Sequence, residues 1–177
     1  MEYFLVKPHP DYTDAPLLRD FNDQLNGNDF YLDRSYNMPM RTTIQIMPNE
    51  HMDFTDYLYQ TVPLFSDNAM KVIRCFDDDF IQKEIILFDT EHSLSQLYFL
   101  PFFPRFPSAV LSAPQLPHVM GRPDAVHELN IPYSLPVFFV FKEHKCFLFM
   151  RLDLTESLLR EGARGLMLQK TIIRDGG

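Results

Sequence analysis

Fold class can be read from the segment VFFVFKEHKCFLFMRLDLTESLLREGARGLMLQKTII, which runs from Val137 to Ile173. It begins with two apolar runs, Val137–Phe141 and Cys146–Met150, on either side of the charged residues 142–145. Short runs rich in Val and Phe around a polar turn are typical of a β-hairpin. The segment therefore opens with two antiparallel strands.

A helix is predicted directly after this hairpin. Asp153 and Glu156 have the spacing of a capping box, with an acid at the N-cap and a glutamate three residues later. Three leucines fall on one helical face: Leu154, Leu158 and Leu159. Gly162 and Gly165 then indicate a helix end and a loop, and Leu166–Ile173 predicts a last strand. The β-β-α-β unit indicates an α+β fold with a mixed or antiparallel sheet and a few helices.

The rest of the chain predicts further short elements and an irregular N-terminal part, about residues 1–60. Apolar runs predict strands at Tyr3–Val6, Thr42–Met47, Ile81–Phe88 and Leu94–Leu100, with a weaker one around Phe30–Leu32. Ser66 is the predicted N-cap of another helix. Residues 101–136 hold 8 of the 14 prolines, which predicts a long loop or covering segment. The sequence has no internal repeat, and we expect one α+β domain over residues 1–177.

Charge is spread unevenly along the chain, whose formal net charge is −8. Residues 1–91 hold 17 acids and 7 bases, whereas residues 92–177 hold 7 acids and 9 bases. An acidic surface repels nucleic acids and anionic lipids, because binding to them depends on Lys and Arg. We therefore expect no nucleic-acid or membrane partner, and a basic protein is the partner that the charge permits.

Two cysteines, Cys75 and Cys146, lie in apolar runs and are predicted to be buried free thiols. One possible bridge in 177 residues is not a disulfide framework. The N-terminal residues lack the pattern of a signal peptide, and no apolar run is long enough to cross a membrane. These features together predict a protein of the reducing cytoplasm.

Motifs for catalysis, metals and cofactors are missing from the sequence. The six histidines have no metal-ligand spacing, and six glycines, two of them terminal, form no phosphate-binding loop. No nucleophile elbow surrounds a serine. We therefore predict no catalytic residue, no metal and no cofactor.

Two clusters remain as candidates for contact with a partner. Asp77, Asp78 and Asp79 form the densest acidic run, and with Glu84 they are the predicted charge contacts, although a solvated loop is the simpler explanation of the run. An aromatic block between Tyr98 and Phe106 precedes the proline-rich stretch. It is either a strand end in the core or a set of exposed anchors. The predicted anchors are Phe102, Phe103 and Phe106.

A family resemblance rests on Leu135–Phe141, Phe147–Met150 and Leu158–Leu166, with the glycine pair Gly162 and Gly165. This pattern resembles the C-terminal half of a bacterial immunity-protein domain, formerly known only as a domain of unknown function. Its genes lie beside those of polymorphic toxins. The similar organisation extends over about residues 66–173, and the family has no catalytic residues to transfer. The resemblance implies that this protein binds a cognate toxin and blocks its active site or its assembly.

Three hypotheses follow. The first is an immunity protein that neutralises a toxin by stoichiometric binding. The second is a small hydrolase-type enzyme that uses an acid pair or a His–acid pair, which requires a concave site with titratable groups of perturbed pKa. The third is a scaffold subunit that self-associates through the aromatic block.

Overall fold

The computed structural model describes residues 2–19, 32–107, 111–112, 125–129, 135–142 and 145–175. The described strands are β1 (Glu2–Pro8), β2 (Arg41–Gln45), β3 (Tyr57–Tyr59), β4 (Pro63–Ser66), β5 (Ile81–Asp89), β6 (Leu94–Phe102), β7 (Arg105–Pro107), β8 (Leu111–Ser112), β9 (Ala125–Leu129), β10 (Val137–Lys142), β11 (Lys145–Arg151) and β12 (Leu166–Asp175). The described helices are α1 (Asp67–Arg74), α2 (Leu152–Arg160) and a 3-10 helix over Leu32–Asn37. The protein is thus α+β, as the sequence predicts.

Strands form two sheets. A five-stranded sheet has the order β2-β5-β6-β4-β3, and a seven-stranded sheet has the order β7-β10-β11-β1-β12-β9-β8. The predicted β-β-α-β unit is confirmed as β10-β11-α2-β12, but β11 and β12 are not neighbours. β1 lies between them and is antiparallel to both, with Leu5 opposite Phe149 on one side and Gln169 on the other. β11 and β12 are therefore parallel, and α2 makes the crossover that parallel strands require.

Both sheets contain the same topological unit. β2-β5-β6-β4-β3 of one sheet corresponds to β9-β12-β1-β11-β10 of the other. The first pair of each series is parallel and the other three pairs are antiparallel, and a helix joins β4 to β5 as another joins β11 to β12. The sequence shows no repeat, whereas the topology has one. The N-terminal strand β1 takes the place in the second unit that β6 takes in the first.

The two units share a core. The helices pack against each other, and the largest cluster of buried side chains combines both helices with one face of each sheet, including Phe65, Met70, Leu148 and Leu154. Opposite faces of the sheets carry separate clusters, one around Ile85 and Tyr98 and one around Tyr3 and Phe138. Alternate burial along β5 reflects the two-residue period of a strand with a different environment on each face.

Helix caps follow the sequence in one case and depart from it in the other. Ser66 is the N-cap of α1, as predicted, and its hydroxyl accepts a hydrogen bond from the Ala69 amide at 3.2 Å. The prediction that Asp153 caps α2 is wrong, because β11 pairs with β1 as far as Arg151 and the helix starts directly at Leu152. Asp153 instead accepts two hydrogen bonds from the Arg151 guanidinium, both at 2.7 Å.

Some sequence-based expectations are wrong at the edges of elements. Leu159 is 52% exposed, whereas Leu154 and Leu158 are buried. Cys75 is exposed because it lies just beyond the end of α1, on the solvent side. The proline-rich stretch contains three short strands, β7, β8 and β9, so it is not a loop throughout. Most of the weak strand predicted around Phe30–Leu32 lies outside the described residues, and a 3-10 helix begins at Leu32.

No helix within the described ranges combines the length and the apolar character needed to cross a membrane.

Candidate functional site

The predicted aromatic anchors lie mostly in the core. Phe102 is 1% exposed and Phe103 is fully buried, on opposite faces of the sheet and in different clusters. Phe106 is half-buried and meets the Phe138 ring edge-on, with ring centroids 5.7 Å apart. The exposed-anchor interpretation is therefore wrong for Phe102 and Phe103, and the core alternative holds. Alternation along β6 turns successive aromatic side chains to opposite faces, where each finds an apolar cluster.

The acidic run lies in the loop between α1 and β5. Asp78 and Asp79 are exposed, and Asp77 is half-buried and accepts a hydrogen bond from the Asp79 amide at 3.0 Å. Within the part of the chain that the structure describes, none of the three carboxylates pairs with a cation. Glu84 differs, because it lies opposite Arg41 on β2 and its carboxylate is 2.5 Å from the Arg41 Nε. Asp78 and Asp79 are thus free to meet a charged partner, whereas Glu84 is neutralised.

A junction between the two topological units was missed by the sequence predictions. The Asp56 carboxylate accepts hydrogen bonds from the Ser66 hydroxyl at 2.5 Å and from the Arg164 amide at 2.8 Å. The Arg164 guanidinium reaches Asp53, with Nη2 3.0 Å from Oδ1. Asp56, Ser66 and Arg164 border a cavity of about 310 Å³ next to the start of α1. These three residues already bond to one another or to Asp53, which indicates that the junction is structural.

Acidic side chains also line a second concavity, of about 360 Å³, near the N-terminal segment. Asp11 and Asp14 face it together with Asp53, and Asp53 is balanced by Arg164. Asp14 accepts a hydrogen bond from the Asn49 amide group at 3.0 Å. The acid surplus of the first half of the chain is therefore distributed over more than one surface.

A His–acid pair occurs at the turn between β5 and β6. Asp89 is buried, and its Oδ2 lies 2.6 Å from Nδ1 of His92. The other carboxylate oxygen accepts hydrogen bonds from the amides of Glu91 and His92, at 2.8 and 3.3 Å. Hydrogen bonding to Asp89 raises the pKa of His92. Asp89 thereby closes a tight turn in which Ser93 has a φ of +56°, and this suffices to explain the pair.

The largest cavity that we describe, about 580 Å³, opens between the end of β1, the strand β3 and the start of β11. Tyr57, Tyr59 and Cys146 lie on its wall. Burial raises the pKa of Tyr57 and of Tyr59, and it raises the pKa of Cys146 to about 12. All three groups are therefore protonated at neutral pH, and Cys146 lacks the thiolate that a nucleophilic cysteine needs.

Sequence patterns gave no signal for this cavity. The run Tyr57-Leu58-Tyr59 is too short to be recognised as a strand. Cys146 lies in a hairpin that the sequence predicts, but the sequence does not indicate which other elements pack against that hairpin. What brings the three residues together is the packing of β3 against β1 and against the start of β11 in the other sheet, where the Tyr59 hydroxyl donates to the Cys146 carbonyl. Periodicity describes neighbours along one element and carries no information on such contacts.

Among the described residues, no group of three or more His, Cys, Asp or Glu side chains is arranged to hold a metal ion.

Comparison of the chain with models of known protein families gives no match. Comparison with curated proteins gives no match either.

Proposed function

We propose that this protein is an immunity protein, which binds a cognate bacterial toxin stoichiometrically and thereby neutralises it. The proposal draws on the resemblance of the segment Leu135–Leu166 to immunity domains. A β-β-α-β unit is present at the corresponding place in the chain. Binding of this kind needs a complementary surface and no catalytic group.

The observation that carries the proposal is the unpaired acidic loop between α1 and β5. Asp78 and Asp79 present two exposed carboxylates that no cation of the described residues neutralises. A basic partner would be attracted to such a loop before contact, which raises the rate of association. Glu84 contributes less to this attraction, because Arg41 already neutralises it. Phe106 is the remaining candidate for an apolar contact, since it is only half-buried.

We place this activity in the bacterial cytoplasm. Cys75 and Cys146 are both free thiols, which is the usual state in a reducing compartment. An immunity protein in that compartment would meet a toxin that has entered from a neighbouring cell.

A direct experiment is to purify the protein together with the C-terminal domain of the toxin encoded beside its gene. We expect a 1:1 complex by size-exclusion chromatography with light scattering, and loss of toxin activity at equimolar protein. The measurement belongs at about 150 mM salt, where charges more than about 8 Å apart are screened and non-specific attraction is weak. Absence of a complex under these conditions, or the absence of a toxin gene beside this one, would contradict the proposal.

The hydrolase alternative would use the hydrogen bond between Asp89 and His92, which the turn between β5 and β6 also explains. A carboxylate that orients a partly exposed imidazole is the arrangement of a general base. The test is ester hydrolysis by the native protein and by the His92→Asn variant. Equal rates for the two proteins would remove this alternative, whereas a loss of more than about a hundredfold would support it.

A further inference from the structure

The cavity of about 580 Å³ between β1, β3 and β11 has the size of a small-molecule site. Apolar side chains form much of its lining, among them Val6, Phe147 and Met167. The pairing between β1 and β11 runs only from Tyr3 to Val6, and β1 continues beyond it. Part of the cavity is the gap that opens there between the two strands. The cavity therefore lies where the ends of β1 and β11, two inner strands of the seven-stranded sheet, meet the edge strand β3 of the other sheet, and it is lined mainly by carbon.

Two tyrosine hydroxyls are among its polar groups. Tyr57 is 2% exposed, and its hydroxyl has no hydrogen-bond partner among the residues that the structure describes. The Tyr59 hydroxyl lies nearby and donates to the Cys146 carbonyl at 2.9 Å. The Tyr57 hydroxyl thus remains as an unused donor in the wall. It is not one of the described polar atoms that are buried without a partner, so it is accessible from the cavity.

Charge on the described lining comes from Lys7 alone. The Lys7 ammonium donates to Oε1 of Gln169 at 2.8 Å, a neutral acceptor that leaves its charge uncompensated. A cationic ligand would find no carboxylate here. An apolar molecule that carries an anion finds both an apolar wall and a cation.

We propose that this cavity binds a small amphipathic carboxylate, with its hydrocarbon part against Phe147 and Met167, on the same face of the sheet as Lys7, and its carboxylate at Lys7. Tyr57 packs with Val6 on the opposite face of β1, so its hydroxyl lines the cavity without contacting the carboxylate. This site is separate from the acidic loop, and the proposal does not depend on toxin binding.

The test uses octanoate as a probe and the full-length protein. We expect saturable 1:1 binding by isothermal titration calorimetry, with a Kd below about 1 mM. Amide chemical-shift changes on titration should be confined to residues around the cavity, such as Thr61, Cys146 and Met167. Octanol tests the need for the carboxylate, and octylammonium tests the sign of the charge. Both should bind at least about tenfold more weakly than octanoate, because each lacks the charge-assisted hydrogen bond to Lys7.

Two conservative variants locate the site. Lys7→Gln should weaken octanoate binding at least about tenfold, whereas Tyr57→Phe, which removes only a hydroxyl on the opposite face of β1, should change it by less than about twofold. Lys71→Gln is the matched control, since Lys71 is an exposed lysine on α1 that pairs with Asp67, and octanoate binding should not change. Unfolding curves establish that each variant is folded. The proposal is overturned if octanoate shows no saturable binding at about 1 mM, if octanol binds as tightly, or if Lys7→Gln and Lys71→Gln behave alike.

Discussion

Asp56 and Arg164, which are 108 residues apart, exchange two hydrogen bonds and so join the two topological units of the fold. The Asp56 amide donates to the Arg164 carbonyl at 3.0 Å, and the Arg164 amide donates to the Asp56 carboxylate at 2.8 Å. The same carboxylate accepts the hydroxyl of Ser66, the residue that caps α1. One aspartate therefore connects a helix start, the segment before β3 and the loop before β12.

Replacement of Asp56 by Ala should lower the free energy of unfolding by about 2–4 kcal/mol, because it removes an acceptor of two hydrogen bonds and leaves their donors unpaired. Urea unfolding of the native protein and of the variant measures this difference. Asp78→Ala is the matched control, since Asp78 is exposed and has no partner among the described residues; it should change the free energy by less than about 0.5 kcal/mol. Equal effects of the two substitutions would contradict the role given to Asp56.

The glycine pair Gly162 and Gly165 allows a comparison of backbone strain with steric contact. Both have positive φ, of +77° and +85°. A Cβ at Gly162 would meet nothing within 4 Å, whereas at Gly165 it would lie 2.7 Å from the Thr55 Cβ and 3.0 Å from the Tyr57 carbonyl oxygen. Gly162→Ala should cost about 1–2 kcal/mol, the usual penalty for a left-handed residue. Gly165→Ala should cost at least about 2 kcal/mol more, because β3 must move away.

Thermal or urea unfolding of the two alanine variants makes this comparison. If both variants lose the same stability, the close approach of the β12 loop to β3 is not a feature of the protein in solution. Thr55→Gly should cost less stability in the Gly165→Ala background than in the native protein, since it removes the Thr55 Cβ and Oγ1, which are the nearest atoms.

Local patterns explain which elements the sequence predicts correctly. The hairpin β10-β11, the N-cap at Ser66 and the strands β5 and β6 depend on residues close together in the chain. Short elements were missed for the same reason. β3 and β4 span 3 and 4 residues, too few for a period to be recognised.

Long-range contacts explain the rest. The insertion of β1 between β11 and β12 pairs the two ends of the chain, and no pattern within either segment indicates this. Nothing in the sequence around Asp56 distinguishes it from the other acids, because its role depends on the contact with Arg164, 108 residues away. Exposure of Asp78 and Asp79 follows from a local property, a run of acids in a loop, whereas burial of Phe102 and Phe103 depends on what covers each face of β6.

The Asp89–His92 pair should make stability depend on pH. The hydrogen bond with Asp89 raises the pKa of His92 above its ordinary value of 6.5. Burial alone would raise the pKa of Asp89, but hydrogen bonds from His92 and from the turn amides outweigh it and hold this pKa below 3.8. The stabilisation by His92 is therefore complete below about pH 6.5 and is lost as the pH rises through its raised pKa. The stabilisation that Asp89 contributes is present above about pH 3.8 and is lost as the pH falls through the lowered pKa of Asp89.

The free energy of unfolding of the native protein and of His92→Asn should accordingly differ most between about pH 4 and 6.5, with a smaller difference toward pH 8. Asp89→Asn removes the other partner and should abolish most of the pH dependence in the same range. An ordinary histidine has a pKa of about 6.5 and changes its charge between about pH 5 and 8. If the difference in the free energy of unfolding stays constant over that range, Asp89 and His92 do not titrate as a unit.

The two thiols should react differently. Cys75 is exposed, whereas burial raises the pKa of Cys146 to about 12. Because the thiolate is the nucleophile, iodoacetamide at about pH 8 should alkylate Cys75 alone in the native protein and both cysteines in denaturant. Mass spectrometry of tryptic peptides distinguishes the two sites. Rapid labelling of Cys146 without denaturant would mean that the cavity wall opens readily.

The acidic loop should act mainly on the rate at which the toxin binds. Asp78→Asn with Asp79→Asn removes two exposed charges that no cation of the described residues balances. Stopped-flow measurements at low salt should show association slowed about tenfold, with a smaller effect on dissociation, because exposed charges steer encounter more than they hold a complex.

Glu91→Gln with Glu156→Gln is the matched control, since it removes two exposed acids elsewhere on the surface. Raising the salt to about 0.5 M should bring the native protein and the loop variant close together, as screening shortens the reach of each charge. If both double variants slow association equally, overall net charge explains the effect and the loop is not the contact.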